Sequence, residues 1–297
     1  MKTSLLATLV AGIILSGCGG GSDNNNSVDK DKYIKKVQAF DGAIRGMKAS
    51  FTCDNGDNGL FNATTNDNGY ISVSNKTLAE QPEICSIVFT ATESAVDMSN
   101  GKPMTNVSYT IPRGLMTKDK PAAATPFTTL IAKVATDTTP EAIKEAEEQV
   151  FTDLGFGSSL TEEQKTLLLS EPQKALDAIS PELQKEVMAT TIVLSDTLVA
   201  TQKKTDVTID DVIKVTNSLS EVVVDDPNFP TTTNDKGETV PTYIDITTAL
   251  EKDDAFDQIV SGDTSGIEQE LTPVEGKKPE LTPPPATGGA GTDNESN

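Results

Sequence analysis

The apolar residues change their period once, near Pro112, and that change limits the architectures open to the chain. From about Lys36 to Pro112 they recur at every second position: Met47, Ala49, Phe51 and Cys53 share one face, and Cys85, Ile87, Phe89 and Ala91 another. Val107, Tyr109 and Ile111 form a third. Such alternation marks half-buried strands, and several short ones predict a sandwich. After Pro112 the period becomes 3.6. Thr125, Thr139 and Ser180 each stand before a proline, which places a capping side chain ahead of the first helical position. Leu183, Val187, Thr191, Leu194 and Leu198 make one helical stripe, and Ile209, Val212, Ile213, Thr216, Leu219 and Val223 make the next. Ile143, Val150 and Leu154 form a similar seam. Short turns such as LGFGSSLT imply antiparallel neighbours in a small all-α bundle.

The predicted fold class is therefore α+β, with a β-sandwich domain over 33–113 and a helical domain over 122–262 that fold separately. Residues 225–242 read as an irregular connection, and Tyr243 to Val260 as one more helix. From Asp263 to Asn297 there are five prolines, five glycines and four large apolar residues, a composition that predicts a disordered acidic tail.

Charge and residue usage exclude several functions. Lysine plus arginine number 24 against 45 acids, for a formal charge of −21, and basic clusters are only pairs such as Lys35-Lys36 and Lys203-Lys204. Nucleic acid is not an expected partner, because phosphate binding needs clustered cations. Histidine is absent, which removes most hydrolase triads and most zinc sites. A serine nucleophile would need a lysine base, and no Ser-x-x-Lys motif stands at a pocket-like position. No enzyme activity and no cofactor are expected.

The N-terminus carries Lys2, an apolar run from Leu5 to Leu15, and then Ser16, Gly17 and Cys18. These are the three regions of a secretory signal, and the run falls short of the roughly 20 apolar residues that a span needs. LSGC at 15–18 closely resembles the lipobox of bacterial lipoproteins. The resemblance implies a signal peptide at 1–17, cleavage before Cys18 and acyl chains on Cys18, so that the partner is a membrane reached through that lipidated cysteine. The other reading is an ordinary signal peptide with a chance cysteine. Gly19 in place of an aspartate resembles cargo sorted to the outer membrane, which makes the cell envelope the expected location, lipid-anchored. Residues 18–32 read as anchor and flexible tether, reaching roughly 20 Å at about 5–6 Å per square root of residue number. In an oxidising compartment Cys53 and Cys85 read as one disulfide, between facing strands of the sandwich, with two buried free thiols as the alternative.

DGAIRGMKASFTC, followed by ATTNDNGYISV at 63–73, resembles the carboxypeptidase regulatory-like, or transthyretin-like, domain, with the matches at Gly42 to Ala49 and Thr65 to Tyr70. That family implies a seven-stranded Greek-key module without catalytic residues of its own. Asp54, Asp57 and Asn58 in DNGDNG offer oxygen ligands to calcium, although the spacing is poor and a plain hairpin turn accounts for the motif as well. EAEEQ at 145–149 reads as a solvated helix face. The expected function is a lipid-anchored, non-catalytic module that binds or adheres at the cell surface, its ligand a protein or a glycan. The alternative is a structural accessory of an envelope complex on the periplasmic side. The expected binding edge is made of sandwich loops, DNGDNG and the stretch from Asp97 to Thr105.

Overall fold

A computed structural model describes residues 33–267 and 269–282. Cys18, the signal segment and the tether lie outside the described residues, as do 283–297.

The chain is mixed α+β. The β part contains β1 (Ile34–Ala39), β2 (Ile44–Cys53), β3 (Asn58–Leu60), β4 (Tyr70–Ser74), a short helix α1 (Lys76–Glu80), β5 (Cys85–Asp97) and β6 (Ser108–Ile111). β7 (Ala123–Ala124) then runs parallel to β1, giving a sheet of order β4-β1-β7, while β3-β2-β5-β6 form a second. The two sheets share one apolar cluster. Val37, Ala39 and Ile71 come from the first, and Met47, Ala49, Phe51, Ile87, Phe89, Tyr109 and Ile111 from the second. Each residue assigned to an inward face by its period is buried except Ala91, which is half-buried.

Cys53 and Cys85 are bridged. They stand directly opposite each other on neighbouring strands β2 and β5 of one sheet, rather than on facing sheets, because the two strands pair along their whole length. The bridge closes a segment that carries β3, β4 and α1.

The helices are α2 (Pro126–Val134), α3 (Pro140–Asp153), α4 (Glu162–Ser170), α5 (Pro172–Asp177), α6 (Pro181–Thr201) and α7 (Ile209–Asp225). Thr125, Thr139 and Ser180 cap α2, α3 and α6 as expected, each with proline in the first turn. α6 departs from a one-sided stripe: every residue from Ala189 to Ala200 is buried. The reason is its place in the fold. Val199 joins the cluster shared by the two sheets, Leu194 and Leu198 the α2–α7 cluster, and Ile192 and Val193 a third cluster farther along the chain.

That third cluster corrects three expectations. Residues 225–242 are not irregular, since β8 (Thr231–Thr233) and β9 (Thr239–Tyr243) form an antiparallel hairpin. Two short helices, α8 (Thr247–Leu250) and α9 (Asp253–Val260), replace a single one. The segment after Asp263 is packed as far as it is described: Ile267 and Leu271 are buried with Phe256 and Ile259, and β10 (Val274–Glu275) pairs with β9. Composition weighs apolar content against chain entropy, but here two buried side chains and a backbone ladder hold a Pro/Gly-rich stretch. The second part is thus not all-α.

Nor is the junction near Pro112 a free linker. β7 completes a sheet begun by β1, Phe40 belongs to the α2–α7 cluster, and Thr129 on α2 accepts the N–H of Thr110 on β6 at 3.0 Å. Separate folding of the two halves would expose all of these groups. Residues 33–113 expressed alone are expected to give no cooperative melt, whereas 33–282 should give one. Replacing both Cys53 and Cys85 by serine in 33–282 is expected to cost about 3.7 kcal/mol, the chain-entropy value for a separation of 32 residues, read from the urea midpoint without reductant.

Candidate functional site

Segments far apart in sequence converge on a cleft of about 350 Å³. The β1–β2 turn contributes Phe40, Asp41 and Gly42, and the end of β5 with its following turn contributes Asp97, Ser99 and Asn100. Leu176, Gln184, Met188 and Ile192 enter from α5 and α6, the β8–β9 hairpin supplies Pro230, Thr231 and Thr239 to Thr242, and Lys278 lies on the rim. Pockets of this size that are mostly apolar with a few polar groups are the usual form of small-molecule sites.

The two turns at the floor meet more closely than side chains allow. Gly42 has φ +70°, and a Cβ there would collide with Asp97 Oδ1 and with Ser99 Oγ. Only glycine suits both the backbone and the approach. Asp97 also accepts the N–H of Ser99 at 2.7 Å, which fixes the turn.

Behind the floor lies a buried polar network. Tyr109 Oη on β6 donates to Asp41 Oδ2 at 2.9 Å and lies 2.7 Å from Ser195 Oγ on α6. Lys102 Nζ bonds Asp196 Oδ1 at 2.6 Å, with both side chains no more than 4% exposed. Asp196 Oδ2 accepts the N–H of Ile246 at 3.0 Å. Asp41 Oδ1, by contrast, is buried without a hydrogen-bond partner. Unpaired buried oxygens are uncommon and costly, so this one calls for a cause.

Protonation follows the surroundings. Burial pushes the Asp41 carboxyl up to about 8, against the pull of the Lys102 ammonium and with the charge of Asp97 pushing the same way. Burial raises Asp97 to about 6, opposed by its hydrogen bonds to Ser99. Burial alone would lower Lys102, but Asp196 and Asp41 beside it hold it above its ordinary value. Burial and Asp41 keep the Tyr109 phenol protonated. At neutral pH the floor therefore carries a neutral carboxylic acid beside a buried ion pair.

Of the loops expected to bind, Asp97, Ser99 and Asn100 line the cleft, whereas DNGDNG does not. Asp54 pairs with Arg113 at 2.6 Å, Asp57 accepts from Asn75 Nδ2 at 3.1 Å, and Asn58 donates to the Gly56 carbonyl at 3.0 Å. These groups already have partners inside the turn and its neighbours, and among the described residues no three acidic, Cys or His side chains gather as a metal site would require. Within EAEEQ, Glu148 pairs with Lys144 on an exposed face of α3. Asp41 and the hairpin residues escape sequence reasoning. One signal points to the network behind the floor instead: Ser195-Asp196 interrupts the apolar run IVLSDTLVA, where a charge has to find a buried partner.

No family model, curated protein or solved structure matches the chain.

Asp41 has a testable consequence for stability. Its folded value is raised above the ordinary 3.8, so the stability it contributes is fully present below about pH 4 and is lost as pH rises toward 8. Asp41→Asn removes that loss. Relative to wild type, the variant is expected to gain stability steadily between pH 4 and pH 8, measured as urea midpoints across that range. A constant difference would contradict the assignment.

Proposed function

We propose that this chain is a lipoprotein of the bacterial cell envelope, held to the outer membrane through acylated Cys18 and displaying a non-catalytic binding module. Its ligand would enter the cleft between the β part, α6 and the β8–β9 hairpin. The observation that carries the binding half is the unpartnered Asp41 Oδ1 on the floor of a largely apolar cleft. The transthyretin-like reading of the β part draws support from its two sheets over one core and from Gly42, whose lack of a side chain lets the two floor turns meet. No helix among the described residues is long and apolar enough to cross a membrane, so attachment by lipid suits the part of the chain described.

The anchor is checked by fractionation. Cys18→Ser is expected to leave the detergent phase that holds the wild type, because only this thiol carries the lipid. The cleft is checked with a fragment mixture by saturation-transfer NMR: binders should show transfer with the wild type and lose it in Met188→Trp, which fills the cavity.

A further inference from the structure

The cleft's chemistry narrows the ligand class, on the premise that the cleft is the binding site. Its floor holds two carboxyl groups, Asp41 and Asp97, set side by side because Gly42 lets the two turns meet. Asp41 Oδ2 accepts the Tyr109 hydroxyl, while Oδ1 is buried and has no hydrogen-bond partner. Phe40, Leu176, Met188 and Ile192 make the walls apolar. We propose that the cleft takes an organic cation, an ammonium group carried on an apolar body, with the ammonium seated against Asp41 and Asp97 and the body against Met188 and Ile192.

An anionic ligand would meet those carboxyls with only Lys278 to receive it, and Lys278 is an exposed rim residue. Lys102 is no help to an anion, because its ammonium is held on Asp196 behind the floor. A metal ion fits poorly too, since Asp41 and Asp97 are the only acidic residues among those lining the cleft and no third acidic, Cys or His side chain gathers with them among the described residues. An ammonium brings the charge the floor lacks, and its N–H groups supply the missing donor to Oδ1. The chain's charge of −21 would also concentrate cations around it.

Binding is then linked to a proton. In the empty cleft near neutral pH Asp41 is mostly protonated, with Asp97 on β5, Lys102 in the next turn, Tyr109 on β6 and Ser195 and Asp196 on α6 around it. Seating a cation favours the carboxylate, so Asp41 releases its proton to solvent as the ligand enters. Affinity should rise with pH up to about 8 and level off above it.

The experiment uses residues 18–297 without the lipid, with 13C-methyl methionine, titrated with hexylammonium, hexanol and hexanoate at pH 6 and pH 8. Met188 reports the cleft, and Met47 and Met116, buried in the cluster shared by the two sheets, serve as controls. Expected are a Met188 shift with hexylammonium at pH 8 at least about tenfold tighter than with either isostere, and about fiftyfold weakening at pH 6, where the deprotonated share of a carboxyl with a value of about 8 is some fifty times smaller. Calorimetry in two buffers of different ionisation heat should show close to one proton released at pH 7. Asp41→Asn should abolish both the preference and the pH dependence, and the wild-type proton count stands as the test if that variant does not fold. Equal binding of hexanol, no proton release, or an unchanged preference in a folded Asp41→Asn overturns the cation assignment while leaving the cleft as a site. Failure of every probe to move Met188 overturns both.

Discussion

Lys102 joins parts of the chain that would otherwise have little reason to meet. It leaves the turn after β5 and places its ammonium on Asp196, in the middle of α6, whose second oxygen takes the N–H of Ile246 at the entry to the third cluster. One carboxylate thus links the β part, the long helix and the C-terminal segment. A buried ion pair is not in itself a strong source of stability, since well-packed apolar groups often do as well, but losing one partner typically costs about 3–5 kcal/mol. Its value here is in selection. An α6 buried on all sides could rotate to present other apolar faces to the two sheets, and only one rotation brings Asp196 to Lys102 and Ser195 to Tyr109.

The same constraint explains the composition of α6. A helix buried all round would ordinarily be apolar throughout. Thr191 and Thr197 instead turn their hydroxyls back onto the carbonyls of Val187 and Val193, at 2.6 and 2.8 Å, which leaves their methyl groups outward for packing. The polar atoms are satisfied within the helix, and Ser195 and Asp196 are satisfied across it.

What could be read in the sequence was local. Alternation placed Phe51, Cys53, Cys85 and Ile87 on inward faces because a strand's period of two depends on nothing beyond the strand. The caps at Thr125, Thr139 and Ser180 were legible for the same reason, as a side chain bonding a backbone three residues on. β7 and β10 were not, because each is two residues long and pairs with a strand well removed along the chain, and the β8–β9 hairpin was not, because its strands of three and five residues, TTT and TVPTY, carry no apolar alternation. Of the cleft, only the stretch from Asp97 was anticipated, as a loop on a scaffold. Asp41 sits in an ordinary Asp-Gly turn, and its chemistry comes from Tyr109, Lys102 and Ser195, which lie 61 to 154 positions away along the chain.

The cleft also belongs to no single part of the molecule. Its floor is β, one wall is α6, and another is a hairpin whose strand β9 lies between β8 and β10. Past β10 the chain crosses so close to Gly101 that a side chain there would strike the carbonyl of Lys277, and it ends its described course on Asp67, which takes the N–H of Thr282 at 2.6 Å. Arg45 braces this contact by bonding both Asp67 and the Glu280 carbonyl. A neutral acid buried with one oxygen unpaired is a local defect, and folds tend to tolerate such defects where a site needs them. Here the defect lies where the β1–β2 turn, the turn after β5, α5, α6 and the β8–β9 hairpin come together, so whatever relieves Asp41 Oδ1 acts on the junction between them.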